Sequence, residues 1–283
     1  MKKKYLKLIL NRLMQSPIFR LIYWYCRSPF SNFAAYAFFK ERVARDLRIN
    51  GDYRVRFGPY QGMKYTKHGS SVSLSCLLGT YEMEIWPAIE EIKYRDYRVI
   101  IDVGCAEGYH ACGLALITGK PVMAYDTNEI ARYDCHTMAA KNLITHQIQI
   151  GEYLSHESLE SLCSQGNAFL FCDVDYYEVE ILDLNKVPSL AFTDILVETH
   201  GHSSGSENDT MPLLLSRFED THDIEIFKMM PRHSFELWQF ADKSKNSEFA
   251  IGNVVNEPLC HAFIEERGWN NWLWMKAKNN IIK

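Results

Sequence analysis

No uncharged apolar run in this 283-residue chain approaches the roughly 18–20 residues that a membrane-spanning helix needs. Glycine and proline are few, at 15 and 9 residues, which excludes collagen-like and low-complexity architectures. None of the eight cysteines belongs to a C-x-x-C pair. Scattered thiols in a chain of this length fit a reduced, cytoplasmic protein better than a disulfide framework. A secretory signal is not expected, because Lys7, Asn11 and Arg12 interrupt the would-be apolar stretch and no small-residue cleavage site follows.

What is present suffices for a well-packed core: 47% apolar residues, 13% aromatic and a net charge of only -4 exclude intrinsic disorder. The charge is unevenly placed. Residues 1–48 carry 11 Lys/Arg against Glu41 and Asp46, a net +9, whereas the remaining 235 residues sum to -13. A basic arm on an acidic body points to an anionic partner for the arm. Leu6, Ile9, Leu10, Leu13 and Met14 recur there at helical spacing, and Pro17 separates them from a second apolar stretch containing Trp24. Two readings stay open. The arm packs on the main domain or on a partner protein, or residues 1–30 lie at the inner face of an anionic membrane. On such a surface each Lys or Arg adds about 1 kcal/mol. No nucleic-acid-binding motif accompanies the charge, so nucleic acid is not an expected partner.

Periodicity divides the chain into a basic amphipathic helical extension (1–50), accessory strands with a lead-in helix (51–97) and a main domain (98–283). Tyr53–Phe57 alternates like a strand before turns at Gly58-Pro59 and Gly62, and residues 80–95 read as a helix. Apolar strands near 98–103, 121–126, 146–150, 168–173 and 192–198 then alternate with helical patterns near 108–118, 129–142, 156–164 and 178–184. That alternation predicts an α/β fold whose parallel sheet is covered on both faces. Asp223–Met229 and Trp272–Met275 read as further strands, 256–266 as a helix and 202–208 as a loop.

The strongest local signal is Asp102-Val-Gly104-Cys105-Ala106-Glu107-Gly108-Tyr109, between a strand and a helix. Glycines let the backbone bend sharply and approach a ligand, and the following helix offers free N–H groups to an anionic group. The spacing is neither the dinucleotide fingerprint G-x-G-x-x-G nor a phosphate loop ending in Gly-Lys-Ser/Thr. The next strand ends at Asp126 in Tyr125-Asp-Thr127-Asn128, where a carboxylate can take both hydroxyls of an adenosine ribose. Glycine loop and second-strand acid together resemble the class I S-adenosylmethionine-dependent methyltransferases. That resemblance implies a doubly wound, Rossmann-like sheet, mostly parallel with an antiparallel last strand. It also implies S-adenosyl-L-methionine as cofactor, with its methionine part among Gly104–Tyr109 and its ribose on Asp126.

Further motifs narrow the resemblance. Gly62-Met-Lys-Tyr65, Leu78-Gly-Thr-Tyr-Glu82, Phe171-Cys-Asp-Val-Asp-Tyr-Tyr-Glu178, Val197-Glu-Thr-His200 and Arg217-Phe-Glu-Asp-Thr-His222 together look like the FkbM-type methyltransferases of bacteria. That family's fourth-strand motif reads D-x-E-G-x-E; here Asp175 replaces the Glu and Tyr176 the Gly. Its methyl acceptors are commonly hydroxyls of sugars and other glycan or small-molecule acceptors. The resemblance also brings Glu82 toward the cofactor's amino group.

Transfer to a sugar hydroxyl calls for a base. Asp173 and Asp175 follow one strand, Glu198 and His200 the next, and ligands of doubly wound sheets sit at those carboxyl ends. His200 or Asp175 is the expected base, with Asp173 orienting the acceptor or cofactor, and His222 is expected to be structural. Glu152 after the third strand is placed to accept from the adenine amino group. Asp173, Glu198 and His200 are hard or borderline ligands, but transfer is expected to be metal-independent. Two alternatives compete. Tyr60-x-x-x-Lys64 has the spacing of short-chain dehydrogenases, yet lies upstream of the glycine loop where that class has it downstream. A degenerate methyltransferase fold serving as a scaffold for glycan synthesis is the non-enzymatic alternative.

Overall fold

The computed structural model describes residues 53–65, 73–201, 209–228 and 270–278, all within one compact unit. The expected helical extension over 1–50, the loop at 202–208 and the helix at 256–266 lie outside the described residues. Among the described residues no helix is long and apolar enough to cross a membrane. The six described cysteines are buried and form no disulfide.

A seven-stranded sheet runs β1 (Val99–Val103), β2 (Val122–Tyr125), β3 (Ile148–Gly151), β4 (Ala168–Cys172), β5 (Asp194–Thr199), β6 (His222–Lys228) and β7 (Asn271–Ala277). Its spatial order is β3-β2-β1-β4-β5-β7-β6, with β7 antiparallel to both neighbours and the first five strands parallel. This is the doubly wound, Rossmann-like arrangement. Every residue of β1, β4 and β5 is buried, which explains why Val99–Ile101, Ala168–Cys172 and Ile195–Val197 read as continuous apolar runs rather than alternating ones.

The helices are α1 (Ser73–Leu78), α2 (Trp86–Lys93), α3 (Tyr109–Thr118), α4 (Glu129–Lys141), α5 (His156–Cys163), α6 (Glu178–Ile181) and α7 (Thr210–Phe218). One face of the sheet packs Val99, Ile101, Leu170 and Val197 against Leu159 of α5, Ile181 of α6 and Leu214 and Phe218 of α7. The other face is aromatic: Phe169 meets Tyr97 and Trp274, and Phe171 lies between His110 of α3 and Trp272. Caps fix the helix ends. Asn128 accepts from Ile130 N to start α4, Ser155 from Ser158 N to start α5 and Asp209 from Met211 N to start α7.

Two expectations need correction. Residues 80–95 do not form one helix: Glu82 is left-handed, Met83–Ile85 form a 3₁₀ turn and α2 begins only at Trp86. Pro87 sits in its first turn, where a missing N–H costs nothing. Tyr53–Phe57 is not a regular strand either. It makes one bridge, Arg54 to Lys64, around the left-handed Gly58 and Gly62. Backbone bonds run on only to Val55, whose N donates to Met63 O and whose O accepts from Gly62 N, while Arg56 N donates instead to Leu77 O.

Candidate active site

The glycine loop is built by its neighbours' backbones. Gly104 N and Cys105 N both donate to Tyr125 O at 2.9 and 3.0 Å, and Gly108 N donates to Cys105 O at 2.7 Å. Gly104 has φ +87°, and a Cβ there would stand 1.7 Å from the Asp173 carbonyl oxygen. Only glycine allows the β1 and β4 ends to close on each other this tightly. Ala106 is also left-handed, at φ +46°. Asp126 pins that residue: its Oδ2 accepts from Ala106 N at 2.9 Å, and its Oδ1 from Asn128 N at 2.8 Å. Arg132 reaches back from α4 to the carbonyls of Asp126 and Thr127.

A cavity of about 660 Å³ opens along the carboxyl ends of β3, β2, β1, β4 and β5. Of the residues singled out by sequence, Gly104, Ala106, Asp126, Thr127, Glu152, Asp173, Asp175, Glu198 and His200 line it. Glu82, Asp102, Cys105, Glu107, Gly108, Tyr109 and Asn128 do not: Asn128 is exposed and caps α4, and the other six are buried. Glu82 is fully buried with its carboxylate 2.7 Å from Nε2 of His110, whose Nδ1 meets the Tyr60 hydroxyl at 3.1 Å. Its neighbour Tyr81 reaches the cavity instead. Glu107 accepts from the Tyr65 hydroxyl at 2.5 Å, and Tyr109 packs edge-on against Tyr60, Tyr65 and Tyr81. Asp102 is 1% exposed and neither carboxylate oxygen has a hydrogen-bond partner among the described residues. Burial, reinforced by Cys135 and Asp173, pushes its pKa well above the carboxylate range.

At the β4–β5 end, His200 stands among carboxylates. Its Nδ1 is 2.5 Å from Glu178 Oε1, while Nε2 lies 3.4 Å from Asp175, 3.6 Å from Glu198 and 3.9 Å from Asp173. Burial opposes charge on the imidazole, but the bond and charge of Glu178, then Asp173 and Asp175, outweigh it and raise the pKa above its ordinary value. Burial also pushes the Asp173 carboxyl up to about 6, against a hydrogen bond from Glu198 that lowers it. The backbone around His200 is fixed from α7, with His200 N donating to Thr210 Oγ1 and Thr210 N to His200 O, both at 2.9 Å.

Glu178 was not among the residues given a role by sequence, although it closes the Asp173–Glu178 motif. Its partner contact across 22 residues is a tertiary fact. Arg217 of the last sequence motif holds its helix in place, donating to the carbonyls of Val179 and Leu182 at 2.5 and 2.7 Å. Tyr153, Tyr177 and Asn270 also line the cavity without having been singled out. The first two bring their hydroxyls to 3.2 Å. His222 is structural as expected, buried at the start of β6 with Nε2 donating to Thr193 O at 2.9 Å. Asp175 and Tyr176 are left-handed, at φ +43° and +77°. The Tyr176 ring lies 5.4 Å from the His200 ring.

No protein-family model matches the chain, and no curated protein matches it. Solved structures with a similar fold include a SAM-dependent methyltransferase from Geobacter sulfurreducens in complex with S-adenosyl-L-homocysteine. It is 13% identical, with 69% of this chain and 89% of that chain covered and a TM-score of 0.41. An O-methyltransferase from Bacillus cereus in complex with SAH is 14% identical over 68% and 84% of the two chains, at a TM-score of 0.42. The O-methyltransferase TomG from Streptomyces achromogenes, in complex with SAM, is 13% identical over 58% and 85%, at 0.41. Likeness at this level is one of overall fold, so a functional reading has to rest on the site itself.

Proposed function

We propose that the chain is an S-adenosylmethionine-dependent methyltransferase acting on a hydroxyl of a sugar or other small-molecule or glycan acceptor. The observation that carries this reading is a single cavity lined by the glycine loop with Asp126 and also by Asp173, Asp175, Glu198 and His200. Its volume falls in the range of about 300–1,000 Å³ typical of small-molecule sites. The residues fit the cofactor. A carboxylate offers about four acceptor positions, so Asp126 keeps two for a ribose diol after binding Ala106 N and Asn128 N. Gly104 and Ala106 would face the methionine part, held by the rest of the Gly104–Tyr109 loop, with Glu152 toward the adenine amino group; Glu82 and Asp102 would act from behind the wall.

When bound, the cofactor supplies a methyl group already activated on a sulfonium, which leaves alignment and proton removal to the protein. A positioned base contributes about 10²–10⁴-fold. With the neutral ring's proton on Nδ1, shared with Glu178, Nε2 is the nitrogen that accepts toward the cavity. His200 Nε2 and Asp175 are the two groups that can take the acceptor proton, with Asp173 orienting the acceptor or cofactor. The FkbM-type assignment is part of this proposal and is supported by the Asp173–Glu178 and Arg217–His222 motifs.

Calorimetry with S-adenosylhomocysteine and with NAD(P) tests the reading. Binding of the first without the second is expected; silence toward both favours the scaffold alternative. Incorporation of labelled methyl groups into surface glycans of the producing cell identifies the acceptor. His200→Ala and Asp173→Asn are expected to abolish that incorporation, and wild-type turnover in either variant rejects the assigned roles.

A further inference from the structure

We infer that Asp173, Glu198 and His200 form a binding site for one divalent cation of the Mn²⁺ class. One carboxylate oxygen of each acid and a ring nitrogen of the histidine lie within 4.8 Å of one another at the ends of neighbouring strands. His200 Nε2 is 3.6 Å from Glu198 Oε2 and 3.9 Å from Asp173 Oδ1. Both separations exceed hydrogen-bond length. Two donors that share one ion at about 2.1 Å stand about 3 to 4.2 Å apart, and both distances fall in that window.

The imidazole distinguishes this cluster from a patch of acids. His200 is 5% exposed, and its Nε2 makes no hydrogen bond among the described residues. Its Nδ1 is tied to Glu178, and a histidine bonded through one nitrogen to a carboxylate is oriented to ligate a metal through the other. Glu178 itself is fully buried, and its second oxygen has no hydrogen-bond partner among the described residues. No Lys or Arg among the described residues pairs with Asp173, Asp175 or Glu178; all three face His200. Glu178 and Glu198 are buried and Asp173 is partly so, whereas Asp175 is exposed; a cation among the first three would offset the cost of holding carboxylates out of water.

Two carboxylates and an imidazole suit Mn²⁺ among the common divalent ions. All three side chains line the cavity, so positions opposite them are open to water or an acceptor oxygen. A cation there would polarise an acceptor hydroxyl, and with Nε2 engaged the proton passes to the Asp175 carboxylate. This replaces the metal-independent expectation drawn from sequence. Only the catalytic role rests on the methyltransferase reading; the cation site does not.

Titration of the EDTA-treated, full-length protein with MnCl₂, followed by the electron paramagnetic resonance of free Mn²⁺, tests it. One bound Mn²⁺ per chain is expected, with binding weakened at least tenfold in Glu198→Gln and Asp173→Asn and unchanged in the surface control Asp96→Asn. Circular dichroism of each variant checks that the fold persists. A free-ion signal undiminished by millimolar wild-type protein, or wild-type binding by both folded site variants, overturns the inference. Mn²⁺ binding without S-adenosylhomocysteine binding would leave the cation site standing and remove the methyltransferase reading; the reverse result would do the opposite.

Discussion

A methyl group on Gly104 would meet the Asp173 carbonyl oxygen at 1.7 Å, in a backbone already at φ +87°, so Gly104→Ala must push β1 and β4 apart at the cavity. The expected result is a folded protein with no S-adenosylhomocysteine binding by calorimetry. Tyr176 is the opposite case. It occupies a left-handed position, φ +77°, where the resembled family carries glycine. Tyr176→Gly is expected to raise stability by about 1 kcal/mol, read as an increase of about 2–4 °C in Tm, because it removes a strained conformation at a half-exposed site. The substitution of Gly by Tyr was legible in the sequence; its backbone conformation was not. Nor was Ala106 legible as left-handed, since no side-chain type marks that residue and the turn is imposed by Asp126 across the loop.

At the scale of elements, the bottom of the sheet is joined by one carboxylate. Asp194, the first residue of β5, is fully buried and accepts from Arg95 Nη1 and the Tyr97 hydroxyl at 2.7 Å each and from Ala277 N of β7 at 2.9 Å. Asp194→Ala would leave a buried tyrosine hydroxyl and a part-buried guanidinium without this partner. A loss of about 3–5 kcal/mol is expected, measured as a shift of the urea midpoint, while the cavity at the other end of the strand keeps its ligand affinity. The strands themselves were readable because β1, β4 and β5 are covered on both faces and carry apolar runs, Val99–Ile101, Ala168–Cys172 and Ile195–Val197. The stretch 80–95 was misread as one helix because its apolar spacing continues through Glu82–Ile85, and only the left-handed Glu82 breaks it.

For the whole molecule, one pH effect comes from a buried histidine far from the cavity, His222. Burial lowers the His222 pKa below its ordinary value, while in the unfolded chain it stays near 6.5. The unfolded state therefore binds more protons as pH falls below about 6.5, so His222 contributes fully above that pH and progressively destabilises the fold below it. His222→Gln is expected to show a smaller loss of Tm between pH 7 and pH 5 than the wild type, and an identical slope in both would refute this. The sequence by itself determined the strand–helix alternation, the bend at Gly104 and the acid at Asp126, because each depends on periodicity or on a short local stretch of chain. It also placed Asp173, Asp175, Glu198 and His200 at strand ends. Only the tertiary structure decided that Glu178 would grip His200 from 22 residues away and that Glu82 would turn to His110 behind the cavity wall. Hydrogen bonds between side chains on separate elements depend on how those elements dock, and docking leaves no period in the chain.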